Sequence, residues 1–201
     1  SSDLIQIKSL IKHIRIITKD PKFPIMIDEE GKTVSRLNNI ISHNISQKLF
    51  GDIYNQNPHF TEKIYKSYIN HLCKIFRDIG INMNTVPVLD VLRKKTNKII
   101  GIRSFSKKPL TVKKLGKICV KQYKLNKIAT IIKHIPGHGC STTDSHFKLP
   151  KVKLNYENLN KTDFEPFKLS ASYFAMTAHI LYEKIDKDNV ATFSKKIISK
   201  I

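Results

Sequence analysis

The chain has 201 residues, of which 40% are hydrophobic and 26% are charged. This length is typical of one domain with a sizeable core, and the composition excludes a disordered chain. No apolar run approaches the roughly 20 residues that a membrane-spanning helix needs, and no secretory signal is visible at the start. The three cysteines, Cys73, Cys119 and Cys140, are odd in number and lack metal-type spacing. We therefore expect no disulfide framework and a reducing, cytoplasmic location.

The net charge is strongly positive, at +20, from 36 Lys and Arg against 16 Asp and Glu. Such an excess attracts nucleic acids, so a basic nucleic-acid-binding protein is one hypothesis to keep. The lysines are spread along the whole chain and do not gather in one arm or helix. Because dispersed charge gives only unspecific attraction, we expect no specific nucleic-acid partner.

Helical and strand-like patterns alternate along the chain, which is typical of an α/β fold with parallel strands. The first predicted helix covers residues 3–17, with Asp3 and Gln6 in capping-box spacing. Its predicted apolar face consists of Leu4, Ile7, Leu10, Ile11, Ile14 and Ile17. A short buried strand is predicted over residues 24–28.

Three further helix and strand units follow this first one. The second helix has the predicted core face Ile64, Tyr65, Tyr68, Ile69, Leu72, Cys73 and Phe76, and it precedes a strand over residues 82–90. A third helix over residues 110–125 leads into a strand over residues 128–133. A fourth helix over residues 163–170 precedes a strand over residues 173–178, and a last helix begins near Ser194.

Charged residues or histidines collect where each predicted strand ends. Asp28, Glu29 and Glu30 follow the first strand, Asp90 closes the second, and His179 follows the fourth. In barrels and doubly wound sheets, the carboxyl ends of the strands form the ligand-binding edge. The pattern favours an enzyme, although charged residues at strand ends are also common without a function.

The densest polar stretch runs from Lys133 to Cys140 and is followed by Asp144 and His146. Three interpretations compete for its histidines. A metal site would use His134, His138, Cys140 and His146, but their spacing matches no standard zinc pattern, so we predict no metal. The histidines could also make ordinary loop hydrogen bonds. In the third interpretation, Asp144 holds one nitrogen of the His146 imidazole, and the pair performs acid/base catalysis.

The sequence Lys-His-Ile-Pro-Gly-His-Gly at residues 133–139, with Asp-Ser-His at 144–146, resembles the signature loop of a known enzyme family. The family is the family 3 glycoside hydrolases, of the bacterial β-N-acetylglucosaminidase (β-hexosaminidase) type. Other segments resemble motifs of the same family in the same order: residues 27–31 with Arg36, and residues 86–91, 101–105, 176–179 and 192–195. The resemblance covers nearly the whole chain.

The resemblance implies an incomplete (β/α)8 TIM barrel. Residues 1–201 would form a single partial domain that lacks the first strand and the last strands. The implied activity is hydrolysis of terminal β-linked N-acetylglucosamine from peptidoglycan fragments, without a metal or organic cofactor. The residues implied to bind the sugar are Asp28, Arg36, Arg103, Lys133 and His134. His146 would be the general acid/base, and Asp144 would orient it.

The implied mechanism is retaining, with a covalent glycosyl-enzyme formed on an Asp. We expect this Asp to follow Ile201. The chain also departs from the family pattern, because Lys32 and Thr33 replace Gly-Arg and Ile102 replaces Asp. A catalytically inactive remnant that binds sugar or a partner protein is therefore the alternative hypothesis. Transfer of the sugar to phosphate instead of water also stays open.

Overall fold

The computed structural model describes residues 3–41, 44–143, 148–168 and 172–200. In chain order, the described residues form α1 (Leu4–Thr18), β1 (Met26–Ile27), α2 (Gln47–Gln56), α3 (Pro58–Ile79), β2 (Met83–Asn84), α4 (Pro109–Leu125), β3 (Ala129–Ile135), β4 (Lys151–Val152), α5 (Tyr156–Lys161), β5 (Phe174–Thr177), β6 (Leu181–Tyr182) and α6 (Lys195–Ile198). No helix in these ranges is long and apolar enough to cross a membrane. No two of Cys73, Cys119 and Cys140 are joined by a disulfide bond.

Four parallel strands form the main sheet in the order β1-β2-β3-β5. Met83 pairs with Met26 on one side and with Ala129 on the other, and Ile131 pairs with Phe174. β4 and β6 form a separate two-stranded parallel sheet. The prediction of an α/β fold with parallel strands is confirmed. Over the described residues the sheet is open, with β1 and β5 at its edges.

Helix α3 has the buried face that its sequence predicts. Asn57 caps its start, because the side chain accepts a hydrogen bond from the backbone N–H of Phe60, and Gly80 ends it in the left-handed conformation. Its predicted apolar positions are buried or half-buried in the main core. The Tyr65 ring packs against Phe50 of α2, with ring centroids 4.3 Å apart. This packing fixes α2 and α3 behind the sheet.

Helix α1 is capped as predicted, but it buries a narrower face. Asp3 Oδ1 accepts a 2.7 Å hydrogen bond from the backbone N–H of Gln6. Ile11 is buried, whereas the core positions predicted at Leu4, Leu10 and Ile17 are exposed, so the prediction is wrong for these three. Among the described elements, α1 packs mainly against α3, and one neighbouring helix covers only a narrow stripe of positions.

The prediction of a helix over residues 163–170 is wrong for its described part, residues 163–168. The observed helix, α5, begins after its cap at Asn155 and ends at Lys161, and residues 162–168 form turns. Two interactions hold these turns. The buried Asp163 carboxylate pairs with Arg93, and the Phe164 ring enters the smaller hydrophobic cluster beside Tyr182. Both side chains point into the protein, so tertiary contacts override the local helical pattern.

Candidate functional site

A pocket of about 480 Å³ opens at the carboxyl ends of β1, β3 and β5. It is lined by Asp28, Thr33, Val34, Arg36, Ile99, Ile100, Arg103, Lys133, His134, His138, Met176, Thr177, Ala178 and His179. The five residues predicted to bind sugar are all part of this lining. They come from three separate segments of the chain, which the parallel sheet brings to one edge. Their roles stay predictions.

The three acids after β1 have different environments. Asp28 faces the pocket, whereas Glu29 is buried behind it. Glu29 Oε2 accepts hydrogen bonds from Ser35 Oγ and from the backbone N–H groups of Arg36 and Leu37, at 2.9, 2.9 and 3.0 Å. Glu29 therefore closes the loop that carries Arg36 to the pocket.

Glu30 is a buried carboxylate that joins two of the predicted sugar-binding residues. It accepts two hydrogen bonds from the Arg103 guanidinium, from Nε at 2.7 Å and from Nη2 at 2.8 Å. It also pairs with the Lys133 ammonium. The sequence prediction missed this role, although the acidic cluster at the end of the strand was the available signal. Glu30 fixes both cations at the bottom of the pocket.

The Lys133 ammonium already has three partners within the protein. Its Nζ lies 2.7 Å from Asp28 Oδ1 and 2.9 Å from Thr85 Oγ1, and it also pairs with Glu30. The Lys133 side chain is only 2% exposed. Hydrogen bonds to Asp28 and Thr85 use two of the three N–H donors of the ammonium, and Glu30 adds a direct ion pair. Its clearest role here is to neutralise the two carboxylates beside it.

Arg36 and Asp28 are the more accessible charged pair. Arg36 Nη2 lies 3.7 Å from Asp28 Oδ2, and the Arg36 side chain is 66% exposed. Burial acts to raise the pKa of Asp28, but hydrogen bonds from Lys133 and Thr85 and the charges of Lys133 and Arg36 outweigh it and lower the pKa. Asp28 is therefore ionised at neutral pH and can accept hydrogen bonds from hydroxyl groups.

Asp90 is fully buried beneath the histidine loop. Its Oδ2 lies 2.6 Å from His134 Nδ1, and its Oδ1 accepts a 2.6 Å hydrogen bond from the backbone N–H of His138. Burial acts to raise the pKa of Asp90, but the hydrogen bonds and charges of His134 and His138 outweigh it and lower the pKa. The site prediction does not include Asp90, although Asp90 ends the strand predicted over residues 82–90.

His138 lies at the inner wall of the pocket and is buried. Its Nδ1 has no hydrogen-bond partner among the described residues. Burial lowers the pKa of this imidazole below its ordinary value, although the charge of Asp90 acts in the opposite direction. His138 is therefore neutral at pH 7.

Two glycines allow the loop after β3 to pack against its neighbours. Gly137 has φ +135°, a conformation that L side chains rarely adopt, and a Cβ there would contact the backbone of Asp163. At Gly139 a Cβ would overlap with the carbonyl oxygen of Val91. The Tyr182 hydroxyl donates a 2.6 Å hydrogen bond to the Gly137 carbonyl oxygen. The backbone of this loop therefore packs closely against neighbouring segments at Gly137 and Gly139.

The predicted catalytic pair, Asp144 and His146, lies outside the described residues. The predicted pair therefore stays a prediction. No group of three or more His, Cys, Asp or Glu side chains in the described ranges is arranged to hold a metal ion.

Residues 3–201 match the N-terminal domain of glycosyl hydrolase family 3. The chain is 34% identical to β-hexosaminidase A of Pseudoalteromonas piscicida over 172 residues, which are 83% of this chain and 28% of that protein. It is 26% identical to the β-hexosaminidase of Methylobacillus flagellatus over 199 residues, which are 98% of this chain and 56% of that protein. The chain thus spans about half, or less, of the length of these relatives.

Solved structures resemble the whole fold. Native NagZ from Neisseria gonorrhoeae superposes with a TM-score of 0.91 at 26% sequence identity, covering 100% of this chain and 60% of that one. The same enzyme in complex with N-trifluoroacetyl-D-glucosamine also has a TM-score of 0.91, with 59% of its chain covered. From the match over residues 3–201, the chain belongs to glycosyl hydrolase family 3 and corresponds to the N-terminal domain of that family.

Proposed function

We propose that this chain is the sugar-binding part of a β-N-acetylhexosaminidase that hydrolyses terminal β-linked N-acetylglucosamine. The observation that carries the proposal is the pocket in which Asp28, Arg36, Arg103, Lys133 and His134 meet. The relatives of the chain that are named β-hexosaminidase support the proposed activity. The NagZ complex with N-trifluoroacetyl-D-glucosamine supports the proposed class of ligand.

The charges of the pocket suit an uncharged sugar. Asp28 and Glu30 already pair with Lys133, Arg103 and Arg36. The ionised Asp90 beneath the histidine loop is the third acid, so three negative charges match these three positive ones. The hydroxyl groups of a sugar need hydrogen-bond acceptors and donors from the protein. An uncharged sugar does not need a pocket of opposite net charge. Asp28 would accept from hydroxyls, and the exposed Arg36 guanidinium would donate to them.

In the proposed reaction, His146 protonates the glycosidic oxygen and Asp144 orients its ring. An Asp carboxylate, which we assign to a position after Ile201, attacks the anomeric carbon as the leaving group departs. His146 then removes a proton from water, which hydrolyses the glycosyl-enzyme and frees the Asp. The protein needs no metal or organic cofactor for these steps.

We further propose that the substrates are peptidoglycan fragments and that the protein works in the cytoplasm. The three free cysteines support a reducing compartment. The pocket volume of about 480 Å³ and its mixed polar and apolar lining suit a sugar-sized ligand.

The experiment is a turnover assay on the full-length natural protein with two β-N-acetylglucosaminides, one with a poor leaving group and one with a good one. His146→Ala should reduce turnover of the first substrate by about 100-fold or more, because that leaving group needs a proton. With the second substrate, the rate of the first step, formation of the glycosyl-enzyme, should fall much less, because a good leaving group departs without a proton. Unchanged turnover of the poor-leaving-group substrate would remove His146 from the mechanism.

A second measurement tests the binding half of the proposal on this chain alone. Calorimetry with N-acetylglucosamine should detect binding, and Asp28→Asn should weaken it because the variant loses a charged acceptor. Binding without turnover in the full-length protein would instead support the inactive remnant. No heat at any sugar concentration would contradict the proposed site.

A further inference from the structure

Asp90 differs from the other buried acids near the pocket. Glu30 pairs with Arg103 and Lys133, and Asp163 pairs with Arg93. Asp90 is 0% exposed, and no lysine or arginine of the described residues lies within ion-pair distance of it. A buried carboxylate is costly unless its oxygens accept strong hydrogen bonds. The hydrogen-bond partners of the Asp90 carboxylate therefore indicate its role in the site.

Both carboxylate oxygens of Asp90 contact the histidine loop. Oδ2 lies 2.6 Å from His134 Nδ1, and Oδ1 accepts a 2.6 Å hydrogen bond from the backbone N–H of His138. The hydrogen bonds and charges of His134 and His138 lower the pKa of Asp90 despite its burial, so the group is ionised. An ionised carboxylate can only accept, which means that His134 Nδ1 carries the proton.

We propose that Asp90 is a positioning residue of the site. It accepts a hydrogen bond from Nδ1–H of His134 and so favours the Nδ1–H tautomer, in which Nε2 is the acceptor for a hydroxyl group in the pocket. The same carboxylate holds the backbone at His138, so the ring and the loop that follows it share one anchor. The inference rests on the proposed sugar site only for the identity of the ligand.

The anchor is itself rigid. Ser104 Oγ donates a 2.6 Å hydrogen bond to the Asp90 carbonyl oxygen. Val88 lies two residues before Asp90, and its carbonyl oxygen and N–H both form hydrogen bonds with the Gln47 amide, at 3.0 and 3.1 Å. The Gln47 amide also donates to the Arg103 carbonyl oxygen. Asp90 therefore links the orientation of the His134 ring to the segment that carries Arg103.

The test is nitrogen NMR of the chain with ¹⁵N-labelled histidine, at about pH 7.5 so that free imidazole is neutral. His134 is assigned by the signals lost in His134→Gln. The unaltered chain should show the Nδ1–H tautomer at His134. In Asp90→Asn, the new amide should accept from His138 N–H and donate its NH₂ to His134 Nδ1. His134 should then become the Nε2–H tautomer.

Sugar binding provides the second readout. The dissociation constant for N-acetylglucosamine, measured by calorimetry, should rise about 10-fold in Asp90→Asn, because the ring then presents a donor where an acceptor is needed. Asp186→Asn is the matched control. Asp186 is also buried and accepts from Ser194 Oγ and two backbone N–H groups, but it does not line the pocket. This control should change neither the tautomer nor the affinity.

The Nε2–H tautomer at His134 in the unaltered chain would overturn the inference, even if Asp90→Asn failed to fold. Retention of the Nδ1–H tautomer in a folded Asp90→Asn would also overturn it. If the tautomer changes as expected but the unaltered chain binds no N-acetylglucosamine, the sugar site fails and the role of Asp90 stands.

Discussion

Glu30 is the carboxylate on which Arg103 and Lys133 converge. Because all three side chains are nearly excluded from water, removal of the acid leaves Arg103 buried without its carboxylate partner and leaves Lys133 with Asp28 alone as a carboxylate partner. We expect Glu30→Gln to lower the free energy of unfolding by about 3 kcal/mol, the typical cost of breaking a buried pair. Urea unfolding measured at neutral pH would give this value.

Glu62→Gln is the matched control for this substitution. Glu62 pairs with Lys66 on the surface of α3 at 3.3 Å, and both side chains are exposed. Exposed pairs contribute little, so the control should change the free energy of unfolding by less than about 0.5 kcal/mol. Equal effects of the two substitutions would show that Glu30 does not stabilise the buried cations Arg103 and Lys133.

His138 makes the stability of the chain depend on pH. Burial lowers the pKa of His138 in the folded state. When the pH falls below the ordinary imidazole pKa of about 6.5, the unfolded chain binds a proton that the folded chain does not yet bind. The free energy of unfolding should therefore decrease between about pH 7.5 and about pH 5.5.

His138→Gln removes the titrating group and tests this linkage. In the variant, the decrease in the free energy of unfolding across the same pH range should be smaller than in the unaltered chain. Urea unfolding at several pH values would measure both slopes. Identical slopes would mean that His138 is protonated equally in the folded and unfolded states.

At the scale of elements, α2 packs against the loop at Phe105 through a glycine. A Cβ at Gly51 would overlap with the carbonyl oxygen of Phe105. Alanine at a helix interior is usually about 1 kcal/mol better than glycine. Here the steric overlap with backbone outweighs that gain, so we expect Gly51→Ala to lower the free energy of unfolding by about 2 kcal/mol.

Ser67→Ala in α3 is the control for helix propensity, because Ser67 is an exposed position within a helix. This substitution should leave the free energy of unfolding unchanged or raise it by about 0.5 kcal/mol. Chemical denaturation of both variants would separate propensity from packing. A Gly51→Ala variant as stable as the unaltered chain would show that α2 can move away from Phe105.

At the scale of the molecule, β5 is an edge strand of the sheet that the described residues form, and apolar side chains at β5 and just before it are exposed. Tyr173, Phe174 and Met176 are exposed there. An unpaired edge with apolar side chains is a template for association with another chain. A polypeptide of these 201 residues alone should therefore self-associate as its concentration rises, and Phe174→Lys should weaken this association. Analytical ultracentrifugation would measure it.

Phe60→Lys serves as the control for this prediction. Phe60 is as exposed as Phe174, at 51% against 49%, but it lies on α3 and away from the edge strand. The control should self-associate like the unaltered chain. Loss of association in both variants would attribute the effect to added charge and not to the edge.

The sequence by itself determined several of the local elements and the order of the motifs. The apolar spacing in α3, the cap at Asp3 and the strand before the loop at 133–139 depend on neighbouring residues, so a linear pattern contains them. The family resemblance rests on the same kind of information, and the match over residues 3–201 confirms it.

Only the tertiary structure decided which polar groups are already satisfied and which are free for a ligand. Glu30 lies 73 residues from Arg103 in sequence, and Asp90 lies 44 residues from His134, so no local pattern contains these contacts. The same reason explains the two wrong helical predictions. Leu4, Leu10 and Ile17 have the spacing of a core face but no described neighbour to bury them, and Asp163 turns inward because Arg93, 70 residues away, pairs with it. Burial and hydrogen bonding depend on contacts between distant segments, which form only when the chain folds.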